Sequence, residues 1–176
     1  MRKVLSVALF TAALFAASSA SAQNNQDKSK RPSPPAMAKE TLKSGAVVSI
    51  DYSQPSVKGR AIGKDLEPKE GQVWRTGANE ATVFETSKDV MVEGKTLAAG
   101  KYGFFTIAGK DSWTIIFNKT WKQWGSYDYK EADDVLRVNV KPKKAAAFAE
   151  KMTFDISNGG VVTLLWGDQQ VSFTVK

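Results

Sequence analysis

The 176-residue sequence contains no histidine and no cysteine. Without imidazole it has no histidine general base, no Ser-His-Asp triad and no histidine metal ligand. Without thiols it has no thiolate nucleophile, no cysteine metal cage and no disulfide. The G-x-S-x-G and S-x-x-K patterns are also missing. Long apolar runs are scarce, and the only one, residues 4–17, falls short of the ~20 residues a spanning helix needs. Helical periodicity is almost absent, with residues 143–150 (KKAAAFAE) as the single short candidate.

The apolar run belongs to a three-part N-terminal pattern. Arg2 and Lys3 precede it, and small residues lead from it to Ala20-Ser21-Ala22, an A-x-A cleavage site. Residues 1–22 are therefore expected to be a cleaved signal peptide, and the protein to be periplasmic or secreted. With no cysteine after the leader, a lipid anchor on that residue is excluded. No later segment approaches spanning length, so a soluble mature chain is expected. Lysine and arginine number 25 against 18 acidic residues, a net charge of +7, and two of the basic residues leave with the leader. In an exported chain nucleic acid is not the expected partner for such a charge. It serves solubility or attraction to an anionic envelope surface.

Residues 23–35 (QNNQDKSKRPSPP) are polar, charged and proline-terminated, and read as a disordered linker. Residues 36–176 read as one domain, whose apolar core must hold it without disulfides. Its dominant rhythm has period two. Trp113, Ile115 and Phe117 alternate with Thr114, Ile116 and Asn118, and Met152, Phe154 and Ile156 with Thr153, Asp155 and Ser157. Val171, Phe173 and Val175 alternate with Ser172, Thr174 and Lys176. Further strands are expected at residues 47–53, 72–76, 81–86, 90–93, 101–107, 135–141 and 161–166. Turns are expected at Ser44-Gly45, Glu93-Gly94, Ala108-Gly109, Asn158-Gly159-Gly160 and Gly167-Asp168. About ten closely spaced strands and no βαβ alternation predict an all-β, antiparallel, jelly-roll-like β-sandwich with at most one short helix. Trp113, Phe117, Phe154, Leu164 and Phe173 are the predicted inward residues.

Residues 51–82 read DYSQPSVKGRAIGKDLEPKEGQVWRTGANEAT. Later come Leu97-Ala98-Ala99-Gly100-Lys101-Tyr102, then Trp124-Gly125 with Asp134-Val135-Leu136-Arg137-Val138, and finally Leu164-Leu165-Trp166. Together these phrases resemble exported bacterial proteins grouped as domain of unknown function 2911. The resemblance runs from about Ala36 to the C-terminus, and it implies export and a β-rich domain. It supplies no activity. Two departures stand out: residues 64–70 are more charged than the family pattern, and Gly167 separates Trp166 from its acidic neighbour.

Two segments concentrate candidate site residues. In residues 71–82, Arg75 offers a planar five-donor fork, and Asn79 and Glu80 could complete a polar pocket. The same residues fit a locked loop, with Trp74 in the core and Arg75 paired to a carboxylate. In residues 121–129 (WKQWGSYDY), Trp121, Trp124, Tyr127 and Tyr129 could form a platform for a sugar or another flat ligand. They could equally cap the open end of the sandwich. Asp128, Glu131, Asp133 and Asp134 form an acidic run, but Lys130 and Ala132 break the calcium-loop spacing. No metal or cofactor is expected. The reading is a non-catalytic binding module for a small molecule or glycan of the cell envelope. The alternatives are a carboxylate-dependent glycan hydrolase and an envelope protein–protein interaction domain.

Overall fold

The period-two runs form strands. The computed structural model describes residues 27–176, and its eleven strands account for nearly all the regular structure. The only helical pieces among the described residues are two 3-10 turns, Lys28–Lys30 and Glu131–Asp133. The expected signal peptide lies outside the described residues.

One sheet is built from β1 (Pro35–Thr41), β2 (Val47–Ser53), β4 (Thr82–Thr86), β7 (Gly100–Ile107), β8 (Trp113–Asn118) and β9 (Asp134–Val140), side by side in that order and antiparallel throughout. The short β3 (Val73–Trp74) pairs with the end of β7 beyond β4. Facing this sheet is a long hairpin of β10 (Lys143–Ile156) and β11 (Val161–Thr174). A small hairpin of β5 (Val90–Val92) and β6 (Lys95–Leu97) meets the end of β11 through the bridge Val92–Val175. The arrangement is an antiparallel, sandwich-like all-β domain.

The core lies between the layers and is rich in rings. Phe104 sits at its centre, 5.6 Å from Phe117, 5.7 Å from Phe154 and 5.8 Å from Phe173. Edge-on and offset contacts of this kind add to the burial of apolar area. Trp113, Phe117, Phe154, Leu164 and Phe173 are all buried, as the alternation predicts.

Three local expectations are corrected. Residues 143–150 are not a helix but the first half of β10, with Lys143 and Lys144 opposite Gln170 and Gln169. Eight residues with no apolar stripe cannot sustain a helix in water, and pairing with β11 supplies the backbone hydrogen bonds instead. Gly167-Asp168 is not a turn either, because β11 continues through it. Gly167 takes a positive φ of 58° opposite Ala149, where the ladder shifts register, so the glycine forms a bulge in a continuous strand. Finally, β8 is buried on both faces: Ile116 and Asn118 are as enclosed as Phe117. Ile116, Phe105 and Ala81 make a second small cluster on the outer face of the sheet, with Tyr129 over Phe105 at 5.1 Å. The chain that follows β8 covers this cluster, and that covering builds the site.

Candidate functional site

Gly103 lets the covering loop lie down. It faces outward on β7 between Val83 of β4 and Asn118 of β8. A Cβ there would stand 2.8 Å from a Phe105 ring carbon and 3.0 Å from the Thr120 carbonyl. Only glycine allows the backbone at Thr120 and Trp121 to cross so close to the sheet. Backbone bonds then fasten the loop: Ala81 N–H donates to the Gln123 carbonyl at 3.0 Å, and Gly125 N–H to that of Asn79 at 3.1 Å.

A half-buried polar knot holds the loop's far end. The Tyr129 hydroxyl donates to Asp134 Oδ2 at 2.6 Å, and Arg137 donates to both. Asn118 donates to Asp134 Oδ1 at 2.7 Å. Burial, then the hydrogen bond to Asp134, push the Tyr129 phenol up to about 12. The acidic run of this loop is largely occupied internally: Asp133 accepts from Thr120 and pairs with Lys119, and Glu131 pairs with Arg137.

With the loop fixed at both ends, two indoles remain at the surface. Trp121 is 38% and Trp124 54% exposed, whereas Trp74, Trp113 and Trp166 are buried. Trp121 and Trp124 wall a cleft of about 460 Å³ whose other sides are Lys28, Glu80, Ala81, Val83, Lys122 and Gln123. A smaller groove of about 180 Å³ shares Lys28, Glu80, Ala81 and Val83 and reaches Asp51 and Tyr52 of β2. Together they form one trough across the outer face of the sheet, apolar along Val83 and polar at its rims.

The polar rim is strongly charged. Glu80 accepts from Arg31 Nη1 on both oxygens, at 3.0 and 2.9 Å, and pairs with Lys28 Nζ at 3.0 Å. Its partial burial alone would raise its pKa. Hydrogen bonds from its own backbone amide, Arg31 and Lys28 outweigh that and hold the carboxyl at about 2. Asp51 is pushed the other way, by burial and then by the charge of Glu85, with Lys101 and Lys39 opposing. Lys101 pairs with Glu85 at 3.1 Å and lies 5.6 Å from the centre of the Trp121 ring, a cation–π contact.

The predicted candidates separate into two groups. Glu80, Trp121 and Trp124 come together in the trough. Asn79 lies behind it, its side chain donating to the Ser33 carbonyl at 3.0 Å. Tyr129 is the half-buried anchor of the loop, and Tyr127 is 84% exposed beyond the cleft. Arg75 does not line the trough. Its expected carboxylate partner is also missing: Nε is buried with no hydrogen-bond partner among the described residues. The acid of its own loop, Glu80, is taken by Arg31 and Lys28. Those two belong to the segment read as a linker, whose described part, from Asp27, rests against the site. Lys28, Asp51, Val83 and Gln123 were not legible as site residues.

A second cleft, of about 330 Å³, lies on the other layer between Arg60, Ile62, Phe148 and Trp166. Its strongest donors are already spent: Trp166 Nε1 on the Glu67 carbonyl, and Arg60 on those of Val57 and Ser56.

No helix among the described residues is long and apolar enough to cross a membrane. No curated protein and no solved structure matches the chain. Residues 33–175 match the family described as protein of unknown function (DUF2911). That span takes in the whole sheet and both exposed tryptophans but not Lys28 or Arg31, and the chain belongs to the DUF2911 family.

Proposed function

We propose that this domain is an exported, non-catalytic binding module whose outer-face trough takes a saccharide of the cell envelope. The observation that carries the reading is the pair of part-exposed indoles, Trp121 and Trp124, walling one cleft with a carboxylate and two lysine ammoniums, Lys28 and Lys122, along it. Exposed indoles fixed by a half-buried loop base offer flat apolar area at little entropic cost. Sugar rings present such an apolar face, and their hydroxyls suit Glu80 and the lysine ammoniums of the rim.

Intrinsic fluorescence tests the reading, because three of the five tryptophans are buried and a change at the site is read against a constant background. Titration with the tetrasaccharides of N-acetylglucosamine and of cellulose should give a saturable shift for at least one, and Trp124→Ala should abolish it. A flat titration with both, or unchanged binding by the variant, would remove the assignment.

One observation favours the hydrolase as a second reading. Asp51 and Glu80 line the same groove, and their surroundings push their proton affinities in opposite directions, as in an acid and base pair. Against it, both oxygens of Glu80 accept from Arg31, and this pairing leaves the carboxylate too weakly basic to activate water or attack a sugar, though still able to accept from a further donor. Release of reducing ends from either oligosaccharide, lost in Asp51→Asn, would favour the hydrolase over the module.

A further inference from the structure

Resting on the saccharide reading, we infer that the trough selects a sugar bearing a free amino group, and that Lys28 occupies the place of that ammonium. The carboxylate of Glu80 sits at the rim of the Trp121–Trp124 cleft, and its backbone is bridged to that of Trp124. Its cationic partners come instead from the short segment ahead of β1. Lys28 lines both parts of the trough and reaches Glu80 Oε1 at 3.0 Å, yet its side chain is 58% exposed. An exposed lysine in such a contact contributes little and exchanges readily. When it leaves, one carboxylate oxygen faces the cleft between aromatic walls, still held in orientation by Arg31.

That arrangement suits an ammonium on a ring. A carboxylate beside indole faces attracts a cation by charge and by the ring quadrupole together. Trp121 already receives one ammonium, from Lys101, which is itself neutralised by Glu85. A sugar amine can therefore reach Glu80 while its ring lies on Trp124. Acetylation of that nitrogen removes the charge and leaves only the ring contact, so the two forms of one sugar should be told apart.

Isothermal titration with the tetrasaccharides of glucosamine and of N-acetylglucosamine, at a pH that keeps the amine protonated, tests this directly. The amino form should bind at least tenfold more tightly. Lys28→Ala should tighten that binding severalfold and give the acetylated form no such gain, and Glu80→Gln should make the two sugars equal. Lys28 is a surface side chain, so its variant keeps the test independent of how Glu80→Gln folds. Equal affinities in the native protein, or a Lys28→Ala variant that binds the amino sugar no better, would overturn the amine preference and leave the saccharide site standing. Binding of neither sugar would overturn both.

Discussion

A single guanidinium nitrogen, Nη1 of Arg31, bridges both carboxylate oxygens of Glu80 across 49 positions of sequence. This contact ties the segment before β1 to the site. Because the folded carboxyl titrates at about 2 against an ordinary 4.5, its contribution is complete above pH 4.5 and is lost as the pH falls toward 2. Glu80 is 38% exposed, so solvent screening keeps the contribution small, and Arg31→Ala should cost no more than about 1 kcal/mol. Proteolysis at Lys28 and Lys30 should accelerate in that variant. In the native chain, hydrogen exchange at residues 28–34, corrected for its intrinsic pH dependence, should rise between pH 4.5 and 2 and not between 7 and 5.

Tyr129 gives the alkaline counterpart. Its folded phenol titrates at about 12 against an ordinary 10.0, so its contribution is complete below pH 10 and fades as the pH climbs toward 12. Spectrophotometric titration should show a late-titrating phenol that Tyr129→Phe removes. The Asp134 side chain is only 7% exposed and serves Tyr129, Arg137 and Asn118 at once. Asp134→Ala should therefore cost on the order of 2–3 kcal/mol in chemical denaturation, because it leaves several donors without an acceptor.

Gly103→Ala should destabilise by about 1–3 kcal/mol, since the new Cβ meets both the buried Phe105 ring and the Thr120 carbonyl. The loop must lift, and with it Trp121. The emission of the variant should shift relative to the native chain even without ligand. A native-like melting temperature and an unchanged emission maximum would show that the loop does not depend on the close approach.

Phe154 packs edge-on against Tyr52 at 5.0 Å and Phe104 at 5.7 Å. Phe154→Ala should cost about 3–5 kcal/mol by denaturant unfolding, with the slope of the transition unchanged.

What the sequence reveals follows the range of each signal. Alternation along Trp113–Phe117, Met152–Ile156 and Val171–Val175 is local, and it places every predicted core ring inward. Residues 143–150 misled because alanine favours a helix in isolation, while the pairing partner that overrides it, residues 167–170, lies on a different strand. Glu80, Trp121 and Trp124 were legible as unusual residues in loops. Their convergence was not, because it depends on the register that sets Val83 beside Gly103 and on an approach only a glycine allows. Lys28 and Arg31 were hidden for the opposite reason: a polar, proline-ended segment carries no periodic signal, and the partner that orders its described part sits in a distant loop. The chemistry of Arg75 suits both a ligand contact and a carboxylate partner, and the structure shows neither, because chemistry alone does not say which way a side chain points.

The central claim, that the trough between Trp121, Trp124 and Glu80 is a saccharide site, is tested most directly by mapping amide shifts in a two-dimensional NMR titration with glucosamine tetrasaccharide. The account predicts saturable shifts at Glu80, Ala81, Val83 and residues 121–124 and at the two exposed indole N–H groups, with Arg60, Phe148 and Gln169 on the other layer unmoved. Shifts gathered around Arg60, Phe148 and Gln169 instead, or none anywhere at saturating sugar, would contradict it.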